Sequence, residues 1–120
     1  MSIKDEIHKG IGAHGMWKHR ITDAINTGKS EWSPQLVRQD NQCEFGKWLY
    51  ACQAGDKKST HYEKVKASHA QFHKAAADVL QLALAGKQEE AKAAIALKSD
   101  YKVVSSTLTS QMMAWKKEVS

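Results

Sequence analysis

The sequence has few of the residues that interrupt helices. Among its 120 residues are one proline and seven glycines. No run of about 18 apolar residues occurs, which argues against a membrane-spanning helix. The first ten residues lack the apolar core of a secretory signal. We therefore expect a soluble, cytoplasmic protein with no membrane partner.

Cysteine is also scarce, since the chain contains only Cys43 and Cys52. On one helix these residues would lie about 13 Å apart along the axis, too far for a disulfide. We expect Cys52 to be a spectator thiol. The absence of a Cys-x-x-Cys-His motif excludes covalent haem, and the absence of Glu-x-x-His excludes a di-iron carboxylate site. Non-covalent haem bound through Met16 and a histidine remains a minor alternative.

The positive charge of the chain is dispersed. The net charge is +5, yet the lysines are spread along every segment and only Arg20 and Arg38 are arginines. A nucleic-acid surface normally concentrates such residues on one face. We interpret these charges as solvated helix faces and expect no nucleic-acid partner.

Apolar periodicity predicts an all-α fold. The expected helices span 3–27, 42–54, 60–85 and 87–117, and a turn or short helix spans 34–39. Ser33 and Pro34 begin the short segment, Asp40 and Asn41 cap the next helix, and Gly28 ends the first. A loop is expected at 55–59. We predict a single domain, 1–120, folded as an antiparallel four-helix bundle with a short additional helix that carries Cys43.

Four residues could bind a metal ion. His69 and His73 are four positions apart, so they project from one face of their helix. His14 interrupts an apolar stripe of the first helix, where a buried imidazole needs a partner. Cys43 lies at the start of a helix, which favours its thiolate. Three imidazoles and one thiolate could complete the tetrahedral shell of a zinc ion.

Other residues are assigned to supporting roles. Phe45, Trp48 and Leu49 are expected to pack around the site. Gly46 is unfavourable in a helix and is expected to allow close approach to a neighbouring long helix. The remaining histidines, His8, His19 and His61, are expected to face solvent.

The motif Cys43-x-Phe45-Gly46-x-Trp48, with the pairs His14-x-x-Trp17 and His69-x-x-x-His73, resembles the chemoreceptor zinc-binding (CZB) domain family of bacteria. The resemblance runs from about residue 7 to about residue 113. It implies a helical bundle, often homodimeric, that binds Zn²⁺ through four ligands: His14, Cys43, His69 and His73. Trp17 belongs to the motif and is expected to support the site.

The resemblance also implies a function. Such domains are regulatory modules that sense zinc, or oxidants such as hypochlorous acid through the zinc-bound cysteine, here Cys43. They signal to an attached chemoreceptor or diguanylate cyclase, and hence act in chemotaxis and related signal transduction. No effector domain is present in this sequence, so we expect either an excised domain or a stand-alone member whose effector is a separate protein.

Two alternatives compete with the sensor. A structural zinc bundle that acts as a protein-interaction adaptor would use the same ligands without a redox role. A zinc hydrolase would need Cys43 to leave a coordination position open for water. We expect no catalytic residue, because Glu44 and Glu63 occupy exposed helical positions and no other general base is evident.

Overall fold

A computed structural model gives the structure of this protein and describes residues 3–41, 43–51, 60–96 and 99–119. Most of the described residues are α-helical, and no strand occurs among them. The helices are α1 (Ile3–Gly15), α2 (Trp17–Thr27), α3 (Pro34–Val37), α4 (Glu44–Tyr50), α5 (Thr60–Leu84), α6 (Gln88–Ala94) and α7 (Asp100–Glu118). None of these helices is long and apolar enough to span a membrane.

The central element is α5, which packs against α2, α3, α6 and, most extensively, α7. Its predicted inward face is confirmed, because the residues assigned to it are all buried: Val65, His69, Phe72, His73, Ala76, Val79, Leu80 and Ala83. The spacing of three and four residues places them on one side of the helix. The same stripe therefore carries the core and two of the candidate ligands.

The first predicted helix is divided in two, so its prediction as one continuous element is wrong. The break falls at Met16, whose backbone remains in the right-handed helical region. Its N–H lies 3.3 Å from the carbonyl oxygens of both Gly12 and Ala13. Gly12 and Gly15 flank this turn, and glycine has low helix propensity. Downstream, Gly28 ends α2 in the left-handed conformation, as predicted.

The last predicted helix is also divided, into α6 and α7. Ser99 is the N-cap of α7, and its hydroxyl accepts a hydrogen bond from the Lys102 N–H at 3.2 Å. Ala91 before this break and Tyr101 after it are buried in the same core. The apolar pattern of the sequence therefore continues past the break. Apolar periodicity alone therefore did not reveal the N-cap at Ser99.

The segment around the cysteine was predicted in outline only. Ser33 caps α3 and Pro34 occupies its first turn, as expected. The next helix begins later than predicted: α4 starts at Glu44, and its N-cap is Cys43 rather than Asp40 or Asn41. The end of the prediction, 52–54, lies outside the described residues. Gly86 ends α5 with a positive φ of 79°. The predicted loop at 55–59 and Cys52 lie outside the described residues.

Candidate metal centre

The four predicted ligands converge at one point. Their candidate donor atoms all lie within 4.8 Å of one another, although His14 belongs to α1, Cys43 precedes α4 and the other two lie on α5. The three histidines are at most 6% exposed, whereas Cys43 is half-buried. The cluster is therefore closed on the histidine side and accessible on the sulfur side.

The distances within the cluster match those between ligands of one metal ion. Nε2 of His69 and Nε2 of His73 are 3.1 Å apart, and the sulfur of Cys43 lies 3.3 and 3.5 Å from them. Zinc–nitrogen bonds of 2.0–2.1 Å and zinc–sulfur bonds of 2.3 Å give tetrahedral edges of roughly 3.3 to 3.6 Å. The three donor atoms thus already stand at about the spacing that one zinc ion requires.

Backbone carbonyl groups orient two of the imidazoles. Nδ1 of His14 donates to the Gly10 carbonyl at 2.7 Å, and Nδ1 of His73 donates to the Val37 carbonyl at 2.9 Å. A carbonyl can only accept, so each ring carries its proton on Nδ1 and leaves the Nε2 lone pair available. Such hydrogen bonds are the usual second contact of metal-binding histidines. Nδ1 of His69 has no hydrogen-bond partner among the described residues.

Burial keeps the imidazoles neutral. Together with smaller effects of the neighbouring imidazoles, it lowers the pKa of His14 to about 4 and that of His69 to about 2. The pKa of His73 is also lowered by burial, although its hydrogen bond to Val37 opposes the shift. Neutral imidazole is the form that binds metal ions. All three rings are therefore prepared as ligands at neutral pH.

The Cys43 thiol accepts a hydrogen bond at the start of α4. The Gly46 N–H donates to its sulfur at 3.2 Å, and this hydrogen bond alone would favour the thiolate, the effect that the sequence predicted. Burial is nevertheless the larger effect and raises the pKa of Cys43. A buried thiolate needs a nearby positive charge. A divalent cation among the four donors would supply that charge, so the residues fit a zinc ion.

Aromatic rings surround the cluster. Phe45 makes edge contacts with the rings of His14 and His69, and Trp17 makes one with His73. Trp48 lies one step further out, against Phe45 and Trp115. This apolar wall keeps the imidazole lone pairs away from bulk water.

The expected role of Gly46 requires a correction. A Cβ atom at this position would collide with the backbone carbonyl of Asp40, in the turn before Cys43, and not with a long helix. The close approach between helices occurs at Gly10 of α1. A Cβ there would lie 2.5 Å from the Phe45 ring and 2.8 Å from the end of Met112.

The sequence also left several contributions unassigned. Gly10 could have been noticed as a glycine in a buried stripe, four residues before His14. The Val37 carbonyl carries no sequence signal, since every residue has one. Among the other histidines, His8 and His19 are exposed as predicted, but His61 is half-buried with Nε2 3.4 Å from a Glu118 carboxylate oxygen.

An α-helical fold and a buried cluster of three imidazoles and one thiol define a metal-binding protein. Residues 14–80, more than half of the chain, match the family model of the chemoreceptor zinc-binding domain. The chain belongs to this family, and its metal is zinc. The matched span is shorter than the resemblance over about 7–113 that the motifs suggested. Comparison with curated proteins and with solved structures gave no match.

Proposed function

We propose that His14, Cys43, His69 and His73 together bind one zinc ion and that the domain is a sensor. The convergence of these four side chains carries the proposal. A shell of four protein ligands has no position for a substrate water, which is the arrangement of non-catalytic zinc sites. The exposed carboxylates of Glu44 and Glu63 offer no buried general base. We therefore propose a regulatory domain rather than an enzyme.

The zinc ligands would connect separate parts of the fold. We propose that the helices form an antiparallel four-helix bundle, with α1 and α2 as one column, α5 as the second and α6 and α7 as the third. The short helices α3 and α4 would complete it. Contacts of α5 with α2, α3, α6 and α7 support this arrangement. Zinc would join the α1 column, α4 and α5.

Cys43 is the oxidisable ligand. Its thiolate would attack hypochlorous acid, taking up the OH group to form sulfenic acid while chloride leaves. Sulfenic acid is a poorer metal ligand than thiolate, so the start of α4 would lose its link to α5. The half-buried position of Cys43 supports reaction at this residue. We propose that release of α4 is the signal, whether oxidant or zinc level triggers it.

A sensory domain needs an effector protein that responds to it. We propose a cytoplasmic homodimer of a bacterial signalling system that acts on a chemoreceptor or diguanylate cyclase, in the same polypeptide or in a separate protein. Family membership supports the signalling role, and the free thiol of Cys43 fits a reducing compartment. We propose neither a nucleic-acid nor a membrane partner.

Metal analysis tests the site. Wild-type protein is expected to retain about one zinc per chain, and Cys43→Ser and His73→Ala should lose most of it. His19→Ala is the matched control, because it removes an exposed imidazole. Retention of full zinc by both ligand variants would contradict the proposal.

Oxidation separates the sensor from a purely structural zinc bundle. Limiting hypochlorous acid is expected to oxidise Cys43 before Cys52, as measured by peptide mass spectrometry, and to change helix content or association. Equal reactivity of the two cysteines, with no structural change, would favour the structural bundle. Ester hydrolysis lost in His69→Ala would instead favour the hydrolase.

A further inference from the structure

A cavity of about 440 Å³ opens beside the candidate zinc site. His14 and Cys43 belong to its wall, together with Trp17, Trp32 and Phe45. His69 and His73 are at most 2% exposed. A second cavity, between Cys43 and His73, measures about 70 Å³ and would hold only about two water molecules. A small molecule would therefore reach the cluster through the larger cavity.

Arg20 lies at this larger cavity with its guanidinium group held by two indole rings. The guanidinium carbon is 4.8 Å from the ring centre of Trp17 and 4.8 Å from that of Trp32. Cation–π contacts of this kind fix the direction of the side chain. Within the described parts of the chain, Arg20 forms no ion pair. Arg38, the other arginine, lies 2.8 Å from the Asp78 carboxylate.

The other charged residues at the cavity are placed differently. Lys9 lies 3.9 Å from the Glu6 carboxylate, so these charges largely offset one another. Glu44 is exposed at the mouth and opposes the charge of Arg20. The guanidinium is distinguished by its flat apolar surroundings and its available N–H donors. Those features favour a planar anion over a bulky one.

We propose that this cavity binds small, planar carboxylates through Arg20. We further propose that a carboxylate bound there removes zinc from the site or delivers zinc to it. The inference rests on the proposed zinc site. A carboxylate suits both ends of the cavity, because guanidinium binds it with two parallel hydrogen bonds and zinc accepts carboxylate oxygen. Zinc held by the four residues would accept a carboxylate oxygen in place of the sulfur of Cys43, which lines this cavity. The freed thiolate would take a proton from water, leaving hydroxide.

Zinc-transfer kinetics test the proposal on the full chain. Zinc-loaded protein is mixed with dipicolinate, a planar dianion, or with 1,10-phenanthroline, a planar neutral chelator, over a range of concentrations. Arg20→Gln is expected to lower the dipicolinate rate constant about tenfold, the loss of roughly 1.4 kcal/mol of charge-assisted hydrogen bonding. The phenanthroline rate should not change. Arg38→Gln, the matched control, should alter neither rate.

Carboxylate binding can also be measured without zinc. Dipicolinate added to the metal-free protein is expected to shift the indole N–H resonances of Trp17 and Trp32, and Arg20→Gln should weaken this binding. Arg20→Lys, which keeps the charge but lacks the planar fork, should give an intermediate affinity. Absence of any shift in the wild type would overturn the proposal, even if the protein binds zinc.

Other outcomes would also overturn it. A release rate independent of chelator concentration would show that zinc leaves before any carboxylate binds. Equal slowing of both chelators in Arg20→Gln, or equal slowing by Arg38→Gln, would remove the specific role of Arg20. Failure of the wild type to retain zinc would instead contradict the proposed zinc site, and the titration of metal-free protein would still decide whether the cavity binds carboxylates.

Discussion

The imidazole of His73 and the backbone carbonyl of Val37 are joined by a 2.9 Å hydrogen bond between α5 and α3. This bond holds the proton on Nδ1 and leaves Nε2 directed at the sulfur of Cys43, 3.5 Å away. The four-residue helix α3 thus contributes to the metal site without supplying a ligand. His14 is oriented in the same way, but by the Gly10 carbonyl of its own helix.

Gly10→Ala is expected to destabilise the protein. The new methyl group would lie 2.5 Å from the Phe45 ring and 2.8 Å from Met112, both buried. Overpacking of this kind costs about 1–3 kcal/mol. Urea unfolding of the metal-free protein measures the loss. The control is Gly12→Ala on the same helix, where no atom lies within 4 Å, and it should stabilise by up to about 1 kcal/mol. Equal stability of the two variants would contradict the packing argument.

Gly46→Ala is expected to weaken zinc binding. Its methyl group would collide with the Asp40 backbone carbonyl, which cannot rotate away as a side chain can. The turn that presents Cys43 would have to move, and the N–H bond of residue 46 to the sulfur would be lost. We expect zinc affinity to fall at least tenfold in competition with a fluorescent chelator. Gly15→Ala has open space and should retain wild-type affinity.

Acid is expected to destabilise the metal-free protein between about pH 6.5 and 4. Burial lowers the pKa of His14 to about 4 and that of His69 to about 2. In this range the unfolded chain binds protons that the folded chain does not, so the free energy of unfolding falls as pH falls. Each histidine contributes about 1.4 kcal/mol per pH unit.

Chemical denaturation at several pH values measures this slope. His19→Ala should keep the slope, since His19 is exposed, whereas His14→Gln should reduce it. A stability that does not change from pH 6.5 to 4 would be inconsistent with buried neutral imidazoles. In the zinc-loaded protein, the same protons compete with the metal, and zinc should be released in acid.

Tyr62→Phe is expected to loosen α4. The buried Tyr62 hydroxyl donates to the Leu49 carbonyl at 2.8 Å, and its loss removes a hydrogen bond between α5 and α4 worth about 0.5–1.5 kcal/mol. In a Cys52→Ala background, the metal-free variant should react faster than its parent with a thiol reagent. Tyr101→Phe makes the same chemical change away from α4 and should not alter the rate. A similar acceleration in both variants would show a general rather than a local effect.

The long central helix was the most predictable part of the fold. Its expected range, 60–85, agrees with α5 (Thr60–Leu84), because an uninterrupted apolar stripe spans seven turns and ends at Gly86. The first and last helices, 3–27 and 87–117, were predicted as continuous, and both are interrupted. At Met16 and near Ser99 the apolar pattern keeps its period across the break. Hydrophobic spacing indicates which residues face the core, and it does not indicate a local change of helix geometry such as the turn at Met16 or the N-cap at Ser99.

The sequence by itself determined the four candidate donors, which the structure brings within 4.8 Å of one another. His69 and His73 share a helix face by their spacing, and the motif around Cys43 indicates the family that the match over residues 14–80 shows. Tertiary structure alone decided which carbonyls orient His14 and His73, where Gly46 makes its close contact, and from which side the sulfur is reached. The physical reason is that side chains differ along the chain and can be recognised from it. Backbone carbonyls are the same at every residue, and a cavity is formed by residues distant in sequence. Neither can be recognised from the sequence, and both are defined only when the helices pack.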